Sequence, residues 1–435
     1  MSETTTSRID FINELRWRGL LKDCTDEAAL REHLETGPRL AYSGFDPTAD
    51  SLTVGNLVPI MVLVHLARAG HTPVVLQGGG TGLIGDPSGK EAERQLRSAD
   101  EVAANVRAQR EIFERVFSER NGLPAPLIVD NLEWLAKLSY IELLRDVGKH
   151  FSVNMMIQKE SVKQRLENRE QGISYTEFSY MILQAYDFHV LRRDRNITIQ
   201  IGGSDQWGNI VAGCDLIRRH DHGDAFGLTA PLVTKADGSK FGKTESGAVW
   251  LSAHRTSPYQ LYQWCINAAD EDVVRFLKLF TLLTQDEIAA IEAEHNQAPG
   301  KRFAQTRFAE ELVRFLHGED ALAGAQAASR ALFSGDVRGL DEAALRDVFA
   351  ETPHTELPAS RLADGMPILD LLVDTGLARS KREAKEFLAA GSVAVSGEKA
   401  DPEHVVTPAD ILPGQVTLLR RGKKIWHVVR WTDDR

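Results

Sequence analysis

Cysteine is scarce in this sequence. The 435 residues include three, Cys24, Cys214 and Cys265, which are far apart and in none of the spacings that ligate zinc. So few separated thiols argue against a disulfide framework, and we expect reduced cysteines that serve packing. The scarcity predicts a cytoplasmic protein without a tightly bound metal.

Long apolar runs are also missing. No stretch reaches the roughly 18 residues of a membrane span. The polar start, MSETTTSRID, has neither the apolar core of a signal peptide nor the Arg-rich pattern of a transit peptide. The composition, 43% hydrophobic and 26% charged, is typical of a globular protein. We therefore expect no membrane partner, and the length suits two or three domains.

Positive charge is in deficit, since the net charge is −11, and this argues at first against a nucleic-acid partner. The deficit is uneven. Residues 376–435 contain eleven Lys or Arg against eight Asp or Glu. A basic tail on an acidic body indicates an appended binding module.

Three zones follow one another along the chain. Up to about Pro231, short apolar runs alternate with amphipathic helices, the rhythm of a parallel sheet with crossover helices. From about Pro258 to Leu345 the pattern is helical, and the following stretch has two prolines and little periodicity. The predicted boundaries are 1–232 for an α/β domain, 233–258 for a mobile loop and connection, 259–350 for a helical domain, 351–365 for a linker and 366–435 for a small α+β domain.

The loop after Gln77 contains the sequence GxGxxG, from Gly80 to Gly85. A dinucleotide-binding fingerprint needs a helix to open at once. Here the sequence DPSG follows, and proline with glycine in the first turns breaks such a helix. The motif therefore does not predict a dehydrogenase.

Five segments together carry a more specific signal. They are YSGFDPTADSLTVGN (42–56), GLIGDPSGK (82–90), TEFSYMILQAYDF (176–188), QIGGSDQWGN (200–209) and KFGKT (240–244). In this order and spacing they resemble the bacterial-type tyrosyl-tRNA synthetases of class I, over nearly the whole chain. The resemblance implies a Rossmann-like parallel-sheet catalytic domain, an α-helical anticodon-side domain and an S4-like RNA-binding domain. It also implies a homodimer that uses L-tyrosine, ATP with Mg²⁺, and tRNA(Tyr).

The first segment resembles the HIGH signature, at a helix N-terminus where free N–H groups favour a triphosphate. It has the sequence TVGN here, and Gly55 would let ATP approach the backbone closely. By resemblance Asn56 bonds the ribose. The family usually has His where this chain has Thr53, and that His, with the threonine matching Thr48, binds the leaving phosphates. A Thr hydroxyl can still donate one hydrogen bond. A helix N-cap is the other role open to Thr53, and the two are compatible.

The segment KFGKT resembles the KMSKS loop. Two lysines three apart on a glycine-containing loop can surround a polyphosphate, although a solvated surface loop is the commoner fate of such a pair. By resemblance this chemistry needs no protein acid, base or nucleophile, only positioning and charge aimed at the pyrophosphate. The predicted catalytic residues are Lys240, Lys243, Lys90, Arg94, Thr48 and Thr53.

The amino-acid site follows from the same resemblance. It implies that Tyr42 and Asp187 hold the tyrosine hydroxyl, that Asp86, Tyr180 and Gln184 hold the α-amino group, and that Gln206 lies near the carboxylate. Three of these, at 180, 184 and 187, share one helix face. Such a polar stripe is ordinarily solvated, but apolar neighbours interleave it here, so we expect a buried pocket.

The ATP site continues in the glycine-rich turn after the strand at 197–201. By resemblance Asp205 accepts hydrogen bonds from the ribose hydroxyls and Gly203 allows close approach, although an Asp in such a turn is more often a turn former. The predicted ATP-binding residues are Asp46, Gly55, Asn56, Gly203, Asp205 and Lys243.

Residues 366–435 resemble an S4-type RNA-binding domain, in which basic side chains neutralise RNA phosphates. The predicted RNA-binding residues are Arg379, Lys381, Arg382, Arg420, Arg421, Lys423 and Lys424. Two alternatives stay open. A tryptophanyl-tRNA synthetase has the same catalytic fold, though Asp187 with Tyr42 favours a phenol. An RNA-binding protein that has lost catalysis is encouraged by Thr53 alone.

Overall fold

A six-stranded sheet forms the centre of the first part of the chain, in the order β1-β6-β5-β2-β3-β4. All its neighbours pair in parallel except β1 and β6. The strands of the chain are β1 (Asp23–Cys24), β2 (Leu40–Phe45), β3 (Thr72–Gln77), β4 (Leu127–Asp130), β5 (Ile199–Gly203), β6 (Phe226–Ala230), β7 (Lys243–Thr244), β8 (Gly247–Ala248), β9 (His354–Pro358), β10 (Met366–Pro367), β11 (Val393–Val395), β12 (Glu398–Lys399), β13 (Val405–Val406), β14 (Val416–Arg421) and β15 (Ile425–Thr432).

Helices cover this sheet. The helices of the chain are α1 (Phe11–Arg18), α2 (Glu27–Glu35), α3 (Leu57–Arg68), α4 (Ala99–Val116), α5 (Leu132–Leu135), α6 (Tyr140–Glu142), α7 (Val153–Ile157), α8 (Tyr175–Arg195), α9 (Trp207–His220), α10 (Pro258–Ile266), α11 (Asp270–Phe280), α12 (Gln285–Gln297), α13 (Phe303–His317), α14 (Glu319–Ser334), α15 (Glu342–Val348), α16 (Ile368–Asp374) and α17 (Lys381–Ala389). The predicted alternation of strand and helix is confirmed.

This structure is a computed structural model. It describes residues 9–86, 96–159, 162–163, 166, 172–238, 241–244, 247–350, 352–363, 365–422 and 425–433. No helix in these ranges is both long enough and apolar enough to cross a bilayer. The chain divides into two compact units, one of residues 1–256 with 268–316 and one of residues 257–267 with 317–435.

The first unit takes in helices that the sequence analysis placed in a separate helical domain. Arg18, at the end of α1, is 2% exposed, and its guanidinium donates to the backbone carbonyls of Lys278 and Thr281 at 2.9 Å and of Leu283 at 2.7 Å. A buried guanidinium bonded in this way ties the end of α11 to the sheet domain. The chain therefore does not divide at residue 258 as predicted.

The second unit is built on a five-stranded sheet in the order β12-β11-β14-β15-β9. Side chains alternate across it, as strand geometry requires. Leu419 and Val429 join a core with α16 and α17, whereas Leu418 and Val428 join a core with α14 and α15. The helices before residue 350 thus cover one face of the C-terminal sheet.

The interpretation of 351–365 as a linker is wrong. Residues 354–358 form β9, which pairs in parallel with β15 from Val428 to Thr432. The two prolines misled the prediction, because Pro353 precedes the strand and Pro358 is the last residue of an edge strand, a position where proline is tolerated.

Candidate active site

The candidate site lies where the order of the first sheet reverses. β2 and β5 run side by side, with β3 and β4 beyond one of them and β6 beyond the other. In open α/β sheets, ligands bind in the crevice outside the carboxyl ends of such strands. Asp46 follows β2, the glycine-rich loop follows β3 and Asp205 follows β5. The sheet therefore brings three predicted segments to one edge.

Asp187 is the buried centre of this region. It is 2% exposed and accepts hydrogen bonds from Asn131 Nδ2 at 2.9 Å and from Trp134 Nε1 at 2.7 Å. Burial raises the pKa of Asp187 to about 7, although the two donors act to lower it. Neither donor was predicted from the sequence. Asn131 directly follows β4, a position that could have marked it, whereas no sequence signal marks Trp134.

Tyr42 brings an unsatisfied hydroxyl to the same region. Its ring, on β2, is 1% exposed and lies edge-on to Phe188, with centroids 5.3 Å apart. Its hydroxyl oxygen is buried and has no hydrogen-bond partner in the part of the chain that the structure describes. Burial, and then the charge of Asp187, holds the pKa of Tyr42 well above its usual value. Because a buried hydroxyl without a partner is costly, a ligand with its own hydroxyl fits here.

A chain of hydrogen bonds links this pocket to Asp46. Asn131 Nδ2 also donates to Thr81 Oγ1 at 3.0 Å, and Thr81 Oγ1 donates to Asp46 Oδ1 at 2.7 Å. The other oxygen of Asp46 accepts from Tyr180 Oη at 2.9 Å. Two of the predicted tyrosine-binding residues, Asp187 and Tyr180, therefore share one polar network with Asp46, a predicted ATP-binding residue.

Amide side chains form a second network beside the first. Gln206 Nε2 donates to Asp86 Oδ2 at 2.7 Å, and Asn209 Nδ2 donates to Gln184 Oε1 at 3.0 Å and to Gln206 Oε1 at 3.2 Å. Asn209, the last residue of QIGGSDQWGN, was also missed. Burial, followed by the charges of nearby aspartates including Asp86, holds the pKa of Tyr180 well above its usual value. Such negative charge suits a substrate ammonium group.

The glycines after β3 have a packing reason. A Cβ on Gly78 would lie 2.2 Å from Asp46 Oδ1, and one on Gly79 would lie 2.3 Å from Asp130 Oδ1. Thr81–Leu83 then forms a single 3₁₀ turn instead of the helix start of a dinucleotide site. The glycines of this loop therefore leave room for the side chains of Asp46 and Asp130. The 3₁₀ turn agrees with the prediction that the GxGxxG sequence is not a dinucleotide-binding fingerprint.

The TVGN turn precedes α3 and is not capped by Thr53. The helix begins at Leu57, with Asn56 in the N-cap position and no side-chain cap, so the N-cap role for Thr53 is wrong. The Thr53 hydroxyl instead donates to Asn56 Oδ1 at 2.9 Å. Gly55 is exposed, and a Cβ on it would meet nothing closer than Thr53 Oγ1 at 3.5 Å. The fold itself does not demand glycine at this position.

A short segment, residues 249–252, joins this turn to the KFGKT loop. Val54 N donates to the carbonyl of Val249 at 3.0 Å, and Val249 N donates to the carbonyl of Gly242 at 2.9 Å. A Cβ on Gly242, whose φ is +74°, would lie 2.4 Å from Val54 Cγ2. The two predicted phosphate-binding segments therefore lie together.

The remaining predicted residues are less fully placed. Thr48 is exposed on the turn after β2. For Lys243 the structure describes only the backbone, in β7. The predicted residues outside the described ranges are Lys90, Arg94, Lys240, Lys423 and Lys424. Their roles stay predictions.

Comparison with known proteins decides the family. Residues 34–334 match the family described as tRNA synthetases class I (W and Y), and residues 344–429 match the tyrosine–tRNA ligase SYY-like C-terminal domain. The tyrosine–tRNA ligases of Aliivibrio fischeri (strain MJ11) and Geobacillus kaustophilus are 48% and 49% identical to this chain over 431 and 428 residues. These matches cover 98% and 97% of this chain and 100% of each relative. The chain belongs to the class I tyrosine–tRNA ligase family.

Solved structures agree with this membership. A C-terminally truncated mitochondrial tyrosyl-tRNA synthetase of Aspergillus nidulans superposes with a TM-score of 0.68 at 31% identity, over 75% of this chain and 95% of that one. A tryptophanyl-tRNA synthetase of Encephalitozoon cuniculi reaches 0.52 at 12% identity, over 72% and 87%, which shows a shared fold alone. The predicted fold class is confirmed, and the tryptophanyl alternative is wrong.

The C-terminal domain exposes some of the predicted RNA-binding residues to solvent. Arg379, Lys381 and Arg382 are exposed at the start of α17. Lys381 forms an ion pair with Asp370, and Arg382 Nε lies 3.3 Å from Glu386 Oε1. Exposed pairs of this kind are weak, so these cations are free to exchange partners.

Arg420 and Arg421 differ from them. Both lie on β14 and are half-buried. The guanidinium of Arg420 lies 5.3 Å from the ring centre of Trp426, and that of Arg421 lies 4.9 Å from the ring centre of Phe387. Arg421 also donates to the carbonyl of Leu377. These contacts give the two arginines a packing role besides any contact with RNA.

Among the described residues, His189, His220 and Asp221 could together hold a metal, with ligand atoms within 4.8 Å of one another. The Nδ1 atoms of His189 and His220 lie 2.8 and 2.7 Å from the two oxygens of Asp221. Those are hydrogen-bond distances, shorter than tetrahedral ligands usually keep from one another. The cluster is therefore explained without a metal.

Proposed function

We propose that this chain charges tRNA(Tyr) with tyrosine in two steps. The tyrosine carboxylate attacks the α-phosphorus of ATP, the bond from that phosphorus to the bridging oxygen breaks, and pyrophosphate leaves. A hydroxyl of the 3′-terminal adenosine of the tRNA then attacks the tyrosyl carbonyl and AMP leaves. Mg²⁺ enters bound to ATP as part of the substrate.

The unsatisfied Tyr42 hydroxyl beside the buried Asp187 carboxylate carries this proposal. A tyrosine phenol bound between them would donate to the carboxylate and accept from Tyr42. Phenylalanine would leave the Tyr42 hydroxyl without a partner among the described residues, and Asp187 with only its bonds from Asn131 and Trp134. Sites built on such a bond reject the analogue that lacks it by roughly 10⁴–10⁵-fold, a range established on tyrosyl-tRNA synthetases themselves.

The other end of tyrosine extends toward the second network. We assign its ammonium group to Asp86, Tyr180 and Gln184, and we place Gln206 near its carboxylate. The negative charge around Tyr180 and the hydrogen bond from Gln206 to Asp86 support this arrangement. A single orientation follows, with the phenol at the buried end and the carboxylate toward ATP.

For ATP we assign the ribose to Asn56 and Asp205, with close backbone approach at Gly55 and Gly203, and a further contact at Asp46. The open surface at Gly55 supports this assignment. We assign the leaving pyrophosphate to four basic residues, Lys90, Arg94, Lys240 and Lys243, whose charges stabilise the negative charge that develops in the transition state. Thr48 is assigned to the same phosphates.

Pyrophosphate exchange tests the function directly. The purified full-length protein is assayed with ATP and labelled pyrophosphate, in parallel with tyrosine, tryptophan, phenylalanine or no amino acid. We expect exchange with tyrosine only. Exchange with tryptophan would overturn the substrate assignment. No exchange with any amino acid would instead support an RNA-binding protein that has lost catalysis.

We assign tRNA binding to the domain of residues 366–435. Its exposed cations Arg379, Lys381 and Arg382 are the first candidates for this contact. Cutting the chain after residue 350 would strip the sheet from the apolar face of α15, so substitution is the sharper test. We expect K381A/R382A to raise the KM for tRNA at least about threefold and to reduce the salt dependence of charging, while exchange is kept. Arg346→Ala, which removes another exposed arginine of this unit, is the control.

We also infer a homodimer, located in the cytoplasm. Large apolar side chains are exposed along residues 132–175, and the hydroxyls of Tyr140 and Tyr175 lie 3.1 Å apart, so distant parts of this stretch meet. An exposed apolar surface of this kind is typical of an interface. The most exposed is Ile141, at 69%. Light scattering should give the mass of a dimer for the wild type and a lower mass for Ile141→Asp. An equal mass for the two proteins would contradict an interface at this surface.

A further inference from the structure

Three hydrogen bonds close the turn between Thr53 and Asn56. The backbone N–H of Asn56 donates to the carbonyl of Thr53 at 2.9 Å. In the other direction, the backbone N–H and the hydroxyl of Thr53 donate to Asn56 Oδ1 at 3.0 and 2.9 Å. Two donors of Thr53 therefore hold the Asn56 side chain through its Oδ1 atom.

This arrangement determines which way the Asn56 amide faces. A backbone N–H can only donate, so the atom that it meets must be the carbonyl oxygen of the amide and not its nitrogen. The hydroxyl of Thr53 adds a second bond to the same oxygen. The NH₂ group of Asn56 is then presented as a donor, which is the group that an acceptor on the ATP ribose needs.

The same bond limits what Thr53 can do. A threonine hydroxyl has one proton, and here that proton is donated to Asn56. Its lone pairs would repel a phosphate oxygen. To donate to the leaving phosphates, Thr53 would have to release Asn56, so the two roles exclude each other at any one moment.

The turn is also held from outside. Thr53 pairs in an isolated antiparallel bridge with Trp250, and Val54 donates to the carbonyl of Val249 at 3.0 Å. Ser252 N donates to Ser51 Oγ at 3.1 Å. Residue 53 therefore cannot shift freely toward a phosphate without disturbing this contact with the 249–252 segment.

We propose that Thr53 is a positioning residue, which holds the Asn56 amide in the orientation that binds the ATP ribose and does not itself contact the phosphates. This inference rests on the proposed function. It accounts for a residue other than histidine at this position, because the pair Thr53 and Asn56 forms a unit that acts on the nucleoside side of ATP.

The test is a double-mutant cycle in tyrosine-dependent pyrophosphate exchange, with Thr53→Val and Asn56→Ala singly and together. Valine keeps the shape of threonine and removes the donor. We expect T53V to raise the KM for ATP threefold to tenfold, with kcat changed less than about twofold. In the N56A background, T53V should add less than about 1.5-fold, because the group it positions is gone. T53S keeps a hydroxyl donor, so it should have the wild-type KM for ATP.

The reverse reaction separates this role from a phosphate contact. With enzyme-bound tyrosyl-adenylate and added pyrophosphate, we expect T53V to leave the KM for pyrophosphate unchanged. A raised KM for pyrophosphate, a fall in kcat that persists in the N56A background, or failure of T53S to restore the KM would overturn the inference.

Two controls keep the outcomes distinct. Thr306→Val removes a similar half-buried hydroxyl, which donates to the carbonyl of Arg302 at 3.0 Å in α13, and we expect no change in either KM. Thr53→Ala repeats the loss of the donor if T53V folds poorly. A wild type without tyrosine-dependent exchange would overturn the proposed function and this inference with it, whereas an active wild type with additive effects overturns the inference alone.

Discussion

The two ends of the candidate site are built differently. At the end proposed to bind tyrosine, Asp187, Asn131 and Tyr42 are all at most 2% exposed, and Asp187 is held by two donors. At the end proposed to bind the phosphates, Thr48 and Gly55 are exposed, and the turn at residues 53–56 is held mainly by its own hydrogen bonds and by the 249–252 segment.

The difference follows from what each end must recognise. Tyrosine differs from phenylalanine by one hydroxyl, so selection needs a buried polar site that loses much when the hydroxyl is missing. Pyrophosphate carries strong charge and must leave after each cycle, so separate positive charges are enough to stabilise it. We therefore expect substitutions at the buried end to change recognition and those at the exposed end to change rate.

The largest effect should come from Asp187→Asn. The amide keeps the shape but places an NH₂ group against Asn131 or Trp134, both of which donate, and loses the charge that the phenol would meet. We expect kcat/KM for tyrosine in exchange to fall about 100-fold or more, with the KM for ATP little changed.

Asp194→Asn is the matched control for that variant. Asp194 lies on the same helix, exposed, in an ion pair with Arg193. Its loss should leave tyrosine activation unchanged. If D187N and D194N behaved alike, the buried end would not be the recognition site, and the contrast between the two ends would fail.

The next effect tests the exposed end. Lys243→Ala removes a positive charge from the loop that packs beside the TVGN turn. We expect kcat for exchange to fall at least about 10-fold, while the Kd for tyrosine, measured by intrinsic fluorescence, stays the same. Lys301→Ala, at an exposed lysine outside both networks, is the control. A weakened tyrosine Kd in K243A would show that the two ends are not separable in this way.

Some residues of the candidate site could be predicted from the sequence and others could not. The helix face with Tyr180, Gln184 and Asp187 could be predicted, because helical period and a neighbouring motif agree. The place of Asn131 directly after β4 could have marked it as a site residue, but nothing in the sequence marks Trp134. Neither contact with Asp187 could be predicted, because each joins residues more than 50 positions apart. Local pattern carries no record of such long-range pairs.

The fold shows the same limit. The strands β2 and β3 and the helix α3 belong to the alternation of strand and helix that local apolar patterns predict for this part of the chain. The division of the chain into compact units could not be predicted from these local patterns. Helices near residue 350 pack on a sheet that is completed later in the sequence, and β9 pairs with the final strand. Proline content predicted a linker there, but tertiary pairing decided the structure.

The smallest expected effect is the pH dependence of tyrosine binding. Burial raises the pKa of Asp187 to about 7, so in the free protein the carboxylate takes up a proton as the pH falls through that value. The protonated form places an O–H against donors and gives the phenol a poorer acceptor. From pH 8 to 6.5 we expect the Kd for tyrosine to rise about fourfold, with the KM for ATP flat.

The stability of the free protein should move the other way. A carboxyl group whose pKa is higher in the folded than in the unfolded chain stabilises the fold at low pH, and that contribution is lost as the pH rises toward about 7. Ionised Asp187 therefore costs folding free energy, and under the proposed function the same ionised form favours tyrosine binding. In D187N, the contribution of Asp187 to the pH dependence of the free energy of unfolding in urea should disappear. The pH dependence of the Kd for tyrosine should disappear with it. If the variant kept the dependence of the tyrosine Kd, another group would be responsible, and the buried carboxylate would not set the affinity of this end.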